Sequence, residues 1–196
     1  RKTCDTVVVG GLSAGAILAL HLAANRPEHV QGVVLFAPTL WLNGWSIPWY
    51  AHFFRLVYHK WVANKIAFVE REPYGIKDKR LRNMVVQALH SGDSTQAGLF
   101  STPGGAMLEL RWLVNVVKRE LSSIRQPTLI FHPREDDRAD ISNTFYLARH
   151  LGGLVQTVVL DDCYHIITVD RQRELVTERT AAFTAWVEQR VAGRAP

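Results

Sequence analysis

Cysteine and methionine are scarce in this chain of 196 residues, which contains two of each. The two cysteines, Cys4 and Cys163, form neither a disulfide framework nor the closely spaced thiols of a zinc site. No run of about 18 apolar residues is present, so the sequence predicts no transmembrane helix. A reducing compartment is compatible with this cysteine usage. The cytoplasm is therefore the favoured location, although the sequence leaves export open.

The chain also lacks a concentrated run of charge of one sign. The formal net charge is +5 and the isoelectric point is near 9.5, but the basic residues are mixed with acids in "KDKRLR", "VKRE" and "DRQRE". Such mixing is typical of a solvated surface and argues against a nucleic-acid partner. With 47% hydrophobic and 21% charged residues, the composition is that of an ordinary globular domain.

The stretch "VVVGGLSAGA" (residues 7–16) is compatible with two kinds of site. A dinucleotide phosphate cradle requires G-x-G-x-x-G and an acidic residue about twenty positions later. Leu12 stands at the position of the middle glycine, and the next apolar run, "VQGVVLFAP", ends without a carboxylate. Both observations exclude the cradle.

The second interpretation is a nucleophile elbow, G-x-S-x-G, formed by "GLSAG" between a strand and a helix. The elbow presents Ser13 at the carboxyl end of the sheet, and the N–H of Ala14 faces a developing oxyanion. The tight turn requires small residues two positions before and after the serine, here Gly11 and Gly15. The alternative is a plain turn between strand and helix.

Apolar runs alternate with helical patterns along much of the chain, which predicts an α/β fold with a mostly parallel sheet and flanking helices. The predicted strands are 6–10, 30–37, 128–132 and 155–160, and the predicted helices are 15–26, 142–151 and about 169–192. We expect residues 1–38 and 121–196 to form this partial core.

Residues 39–120 show no convincing strand and are predicted to be a helical lid inserted after the second strand. Its first part is rich in aromatic residues, which are as compatible with a core as with a ligand site. As a site, it predicts an apolar underside with substrate contacts from Trp41, Trp45, Trp49 and Phe53. "EREPYGIKDKRLRN" is interpreted as a charged surface loop, and "FSTPGGAM" (100–107) as a turn that returns to the sheet.

A serine hydroxyl needs a base to accept its proton, and the base needs an orienting acid. The third strand leads into "PREDDRADISN", whose acids are Glu135, Asp136, Asp137 and Asp140. The fourth leads into "DDCYHIITVD", where His165 is the candidate base, with His132 as its one rival. Spacing does not separate Asp136 from Asp137, and Asp140 is also suited to capping the following helix.

These motifs, "GLSAG", "HPREDD" and "YHIITVDRQR", resemble those of the α/β-hydrolase superfamily, in particular bacterial carboxylesterases and monoacylglycerol-lipase-like enzymes. The resemblance covers nearly the whole chain. It implies a triad of Ser13, His165 and Asp136, with the acid three residues beyond a usual glycine that is Pro133 here. The implied reaction is hydrolysis of small carboxylic esters with an apolar acyl group, without a cofactor or metal.

Other functions stay open, because fold and triad do not fix the substrate. The alternatives are a lyase, thioesterase or acyltransferase that uses the same triad, and a non-catalytic binding module of the same fold. The oligomeric state is also open.

The sequence departs from the superfamily ahead of the elbow. Similar enzymes carry several strands there, together with a loop that donates a second hydrogen bond to the oxyanion. The chain begins at Arg1 and enters a strand by Thr6. We therefore expect a fragment, poorly active as given, because loss of one such donor costs about a hundredfold or more in rate.

Overall fold

A four-stranded parallel sheet forms the centre of the protein in a computed structural model, which describes residues 4–90 and 101–193. In spatial order the strands are β1 (Val8–Leu12), β2 (Gly32–Phe36), β5 (Thr128–Pro133) and β6 (Val155–Leu160). The register aligns Leu12 with Phe36 and Phe36 with Phe131, so the carboxyl ends of neighbouring strands lie level. The predicted α/β class with a parallel sheet is confirmed.

Helices lie on both faces of this sheet. Within the described ranges, the α-helices are α1 (Ala14–Asn25), α2 (Lys60–Ala63), α3 (Lys79–His90), α4 (Gly104–Glu120), α5 (Ser142–His150) and α6 (Arg173–Ala192), and two 3-10 helices span Trp49–Leu56 and Leu121–Ser123. One apolar core joins α1, α4 and α5 to the sheet, with Ile17, Leu20, Val117 and Leu147 among its members. The second core packs α6 on the opposite face. Because both faces are covered, β2 and β5 are buried along almost their whole length.

The segment 39–120 differs from its predicted all-helical form. Strands β3 (Ala67–Val69) and β4 (Ser101–Pro103) pair antiparallel within it. Strands of three residues are too short to show an alternating pattern, which is why the sequence did not indicate them. Helix α4 lies within the predicted lid, yet its Val114 and Val117 are buried in the core beside α1. The division of the chain into a core and a lid therefore stays a prediction.

The predicted turn at 100–107 is wrong over its described residues, while residue 100 lies outside them. Ser101–Pro103 is strand β4, and α4 begins directly at Gly104. The Gly104 N–H donates to the carbonyl of Ile66, the residue before β3, at 2.8 Å, which fastens the start of α4 to the start of β3. Pro103, Gly104 and Gly105 therefore mark a junction between a strand and a helix. The turn is not needed, because the Ile66 carbonyl accepts the first N–H of the helix.

Within residues 4–90 and 101–193, no helix is both long enough and apolar enough to cross a membrane.

Candidate active site

Ser13 occupies a sharp turn between β1 and α1. Its backbone has φ 56° and ψ −118°, a conformation that L-residues rarely adopt and that marks stored strain. The Ser13 N–H donates to the Phe36 carbonyl at 2.9 Å, and its own carbonyl accepts from Ala16 N at 3.1 Å. These bonds tie the turn both to the neighbouring strand and to the first turn of the helix.

The two glycines of the elbow are not equivalent. A β-carbon on Gly11 would lie 2.1 Å from the Gly15 carbonyl oxygen, so no larger residue fits there without movement of the backbone. A β-carbon on Gly15 would meet no atom within 4 Å among the described residues, outside its own helix backbone and chain neighbours. The expectation that both positions must be small is therefore wrong for Gly15. The backbones of β1 and α1 approach each other closely at Gly11 and not at Gly15.

His165 and Asp136 form a buried hydrogen-bonded pair after β6 and β5. The ring nitrogen Nδ1 lies 3.0 Å from Asp136 Oδ1 and 2.9 Å from Oδ2. A carboxylate only accepts, so the proton is assigned to Nδ1 and Nε2 is left with its lone pair. The N–H groups of Arg138 and Ala139 donate to Asp136 Oδ1 at 2.8 and 2.9 Å and fix the carboxylate.

Asp137 is also buried, but its carboxylate contacts backbone rather than the imidazole ring. Oδ1 accepts the main-chain N–H of His165 at 3.2 Å, and Oδ2 accepts the N–H of Gly75 at 3.1 Å. Arg138 Nε donates to Oδ2 at 3.3 Å. Burial raises the pKa of the Asp137 carboxyl, and the positive charge of Arg138 partly opposes that rise.

His132, the rival base, is buried with both ring nitrogens occupied. Nε2 lies 2.7 Å from the Ala139 carbonyl and Nδ1 lies 2.9 Å from Thr144 Oγ1. Since a carbonyl only accepts, Nε2 carries the proton and Nδ1 accepts from the Thr144 hydroxyl. Burial lowers the pKa of His132, so the neutral ring is favoured. These contacts describe a structural histidine.

Thr39 is a neighbour of Ser13 that sequence patterns did not indicate. Its Oγ1 lies 3.2 Å from Ser13 Oγ and donates to the Ala37 carbonyl at 3.3 Å. In that arrangement the Ser13 hydroxyl donates to Thr39. Among the described residues, no direct hydrogen bond joins Ser13 Oγ to His165, and catalytic hydrogen bonds are often long before substrate binds.

The N–H of Ala14 belongs to the first turn of α1, where N–H groups have no partner inside the helix. That position gives it the positive end of the helix dipole and a donor directed beyond the helix. The same turn holds Ser13, so serine and donor lie next to each other.

The four aromatic residues predicted to contact substrate lie in different surroundings. Trp41 packs against Tyr146 at the core, with ring centroids 5.4 Å apart. Trp45 is 60% exposed and packs edge-on against Tyr164 at 5.5 Å. Trp49 and Phe53 pack on each other at 5.8 Å and are largely exposed. Through its ring contact with Tyr164, Trp45 lies on the loop that carries His165.

The other acids of the two loops have partners of their own. Asp140 Oδ1 accepts the N–H of Ser142, the first residue of α5, and this bond holds the pKa of Asp140 below its usual range. Asp161 pairs with Arg134 at 2.7 Å, and Asp162 pairs with Lys77 and Arg171. Across the described residues, no group of three or more His, Cys, Asp or Glu side chains is arranged to hold a metal ion.

The sequence and the fold both resemble known hydrolases. A thermostable monoacylglycerol lipase of Bacillus sp. (strain H-257) is 25% identical over 186 residues, which are 94% of this chain and 65% of that protein. This chain thus spans about two thirds of its relative's length.

Solved structures of lipolytic enzymes share the fold. One, of the metagenome-derived lipolytic enzymes LipS and LipT, has a TM-score of 0.71 at 23% identity, covering 93% of this chain and 66% of that one. Another, a monoacylglycerol lipase of Paleococcus ferrophilus, has a TM-score of 0.67 at 16% identity, covering 93% and 68%. The family profile described as serine aminopeptidase, S33, matches residues 1–172. The chain therefore belongs to this family of α/β-hydrolases.

Proposed function

We propose that the protein is a serine hydrolase that cleaves carboxylic esters with an apolar acyl group. Ser13 is the nucleophile, His165 the general base and Asp136 the orienting acid. The observation that carries this proposal is the buried hydrogen bond between His165 Nδ1 and Asp136, at the sheet edge where the strained Ser13 elbow also lies. The lipase names of similar proteins support the ester class.

The reaction proceeds through an acyl-enzyme. His165 Nε2 accepts the hydroxyl proton as Ser13 Oγ attacks the ester carbonyl carbon, and the Ala14 N–H donates to the resulting oxyanion. The protonated imidazole then gives its proton to the leaving alcohol as the ester C–O bond breaks. Water repeats the attack with the same base, releasing the acid and restoring Ser13.

Asp136 acts through the imidazole. It fixes the Nδ1–H tautomer, so that Nε2 is available as a base, and it stabilises the imidazolium formed during each proton transfer. The two backbone N–H bonds to Asp136 Oδ1 hold the carboxylate in place throughout.

The segment 39–120 is the proposed lid. Trp45 supports an apolar acyl subsite beside the catalytic loop, because it is exposed and its ring packs on Tyr164, the residue before His165. Trp49 and Phe53 are largely exposed and are proposed to add apolar surface for the substrate, and the partly buried Trp41 is proposed to support that surface from the core.

The experiment that tests the proposal is labelling of the full encoded protein with a fluorophosphonate, followed by mass spectrometric mapping of the adduct. We expect one adduct on Ser13, which is lost in Ser13→Ala, while the folded state of both proteins is checked by circular dichroism. A folded protein without an adduct would contradict the hydrolase proposal and favour a binding module.

The substrate class needs a separate measurement, since the family is described by an aminopeptidase and relatives by lipases. We expect short-chain and medium-chain esters to be hydrolysed faster than matched thioesters and amides. A preference for the thioester or the amide would keep the triad and replace the proposed substrate.

A further inference from the structure

The segment 70–78, the first part of the stretch 70–83 that is predicted as a charged surface loop, is partly buried against the two loops that carry Asp136 and His165. Pro73, Gly75 and Ile76 are buried, and the Ile166 N–H donates to the Gly75 carbonyl at 2.8 Å. The surface-loop prediction is wrong for the middle of this segment. The polar pattern misled because the partners that bury it come from distant parts of the chain.

Gly75 brings this segment into direct contact with the histidine. Its φ of +74° lies in the left-handed region that favours glycine. A β-carbon there would lie 2.8 Å from Ile166 Cγ1 and 3.2 Å from His165 Cβ. The backbone at residue 75 therefore forms one wall of the space that His165 occupies.

The buried carboxylate of Asp137 joins the segment 70–78, the loop that carries His165 and the loop that carries Asp136. Asp137 accepts the N–H of His165 on Oδ1, and on Oδ2 it accepts the N–H of Gly75 and Nε of Arg138. Arg138 in turn pairs with Glu70 at the start of the segment. Asp137 also follows Asp136 directly in the chain. A single peptide bond therefore links the residue that contacts the His165 ring to the residue that contacts the His165 main chain.

We propose that Asp137 is a positioning residue for the hydrolysis reaction, since it fixes the main chain of His165 and of Gly75 against the loop that carries Asp136. This inference rests on the proposed function. Asp136 orients the ring of His165 and Asp137 holds its backbone, so the two neighbouring carboxylates set the position of the base together.

An apolar side chain at position 137 cannot replace these hydrogen bonds, because it has no acceptor atom. Loss of the carboxylate leaves the N–H groups of His165 and Gly75 without this acceptor, while Arg138 keeps its pairing with Glu70. The loop that carries His165 stays attached to the segment 70–78 through a second buried acid, Asp170. Its carboxylate accepts from Tyr164 N at 2.9 Å and from Lys77 N at 2.8 Å. The expected result is therefore a displaced base in a folded protein.

The test compares Asp137→Ala and Asp137→Asn with the unaltered full-length protein. The first readout is the rate of fluorophosphonate labelling at Ser13 as a function of pH. We expect a loss of about 100-fold for Asp137→Ala, the size of effect that a misplacement of about 1 Å produces, and a smaller loss of about 10-fold for Asp137→Asn, which keeps one acceptor oxygen. The plateau of the pH profile should fall, because the base is displaced.

The second readout does not depend on catalysis. The Nδ1 proton of His165, hydrogen-bonded to Asp136, should give a slowly exchanging signal in ¹H–¹⁵N spectra that broadens or disappears in Asp137→Ala. Asp161→Asn is the matched control, because Asp161 lies on an exposed loop and pairs with Arg134. It should change neither readout by more than about twofold, as is usual for exposed positions.

The outcomes separate the two proposals. If the unaltered protein is not labelled on Ser13, the proposed function fails, while the Nδ1 signal still decides the role of Asp137. A folded Asp137→Ala protein with an unchanged signal and unchanged labelling would overturn the positioning role, as would a profile that only shifts along the pH axis. If neither variant folds, amide exchange in the unaltered protein decides, since the proposal requires slow exchange at both Gly75 and His165.

Discussion

Gly11 faces a steric limit set by the elbow. A β-carbon at this position would lie 2.1 Å from the Gly15 carbonyl oxygen and 2.7 Å from the Ala16 nitrogen. Both atoms belong to the backbone, so relief requires a shift of the strand or of the helix. The residue therefore sets how closely β1 and α1 approach each other around Ser13.

We expect Gly11→Ala to lower the free energy of unfolding by about 1–3 kcal/mol, the usual cost of overpacking. Urea denaturation measures this change. Gly15→Ala is the matched control, because its β-carbon enters open space at the start of a helix, and its effect should stay within about 1 kcal/mol. Equal losses in the two variants would argue against the steric explanation.

The candidate site was predictable in part at this scale. Parallel strands end at one edge of the sheet, so residues that follow four such strands come together, and Ser13, Asp136 and His165 all follow strands. Spacing alone did not distinguish Asp136 from Asp137, because both are buried and differ only in what each carboxylate contacts. Thr39 gave no signal either, since a threonine beyond a strand end is common.

Helix α1 shows how an element is oriented by packing where its sequence is apolar all round. Ile17 and Leu20 are fully buried in the core with α4, whereas Leu18 is 58% exposed on the same helix. The difference arises from the sheet and α4, which cover one side of α1. The sequence pattern therefore predicted that α1 exists, but it did not predict which face of α1 is buried.

This asymmetry predicts different costs for the same change on one helix. Leu20→Ala removes a side chain buried between the sheet and α4 and should lower the free energy of unfolding by about 2–5 kcal/mol. Leu18→Ala should change it by about 0.5 kcal/mol or less. Thermal or urea unfolding of the two variants checks this, and a large loss for Leu18→Ala would mean that another surface covers it.

Elements were predictable where they were long or continuously apolar. Strand 155–160 has the predicted bounds, and the other three main strands differ by a few residues at their ends. Strands β3 and β4 were missed because each is only three residues long and is specified by its partner. The local sequence pattern of three residues is too short to predict a pair of strands.

The protein as a whole should lose stability in mild acid through His132. Burial lowers the pKa of His132 below its ordinary 6.5, so the unfolded chain binds a proton more readily than the folded one. The stabilisation is complete above about pH 6.5 and is lost as the pH falls toward the lowered pKa. One such proton changes the free energy of unfolding by at most about 1.4 kcal/mol per pH unit.

Urea denaturation between pH 7.5 and 5.5 measures this dependence. We expect His132→Gln to be less stable at pH 7.5 but to show a shallower decline with acid. Thr144→Val removes the hydroxyl that donates to His132 Nδ1 without removing a titrating group, so it should keep the steeper decline. An unchanged slope in His132→Gln would show that another group controls the acid response.

At the scale of the molecule, the sequence predicted the parallel sheet because continuous apolar strands require cover on both faces. It did not predict that segment 70–78 lies on the histidine loop. That contact depends on Asp137 and Asp170, which are distant in sequence and accept backbone N–H groups. Burial created by long-range acceptors has no signature in the local pattern.

Of the four strands that the structure describes in the central sheet, β1 and β6 are the outer two, and Ser13 follows β1 while His165 follows β6. At about 4.8 Å per strand, the two outer strands are separated by roughly 14 Å, which the loops must bridge. Serine and histidine can therefore meet only after every intervening pairing has formed in register. Reactivity of Ser13 should consequently appear as a late event in refolding, and it would report on the pairing of these four strands in a way that helix content does not.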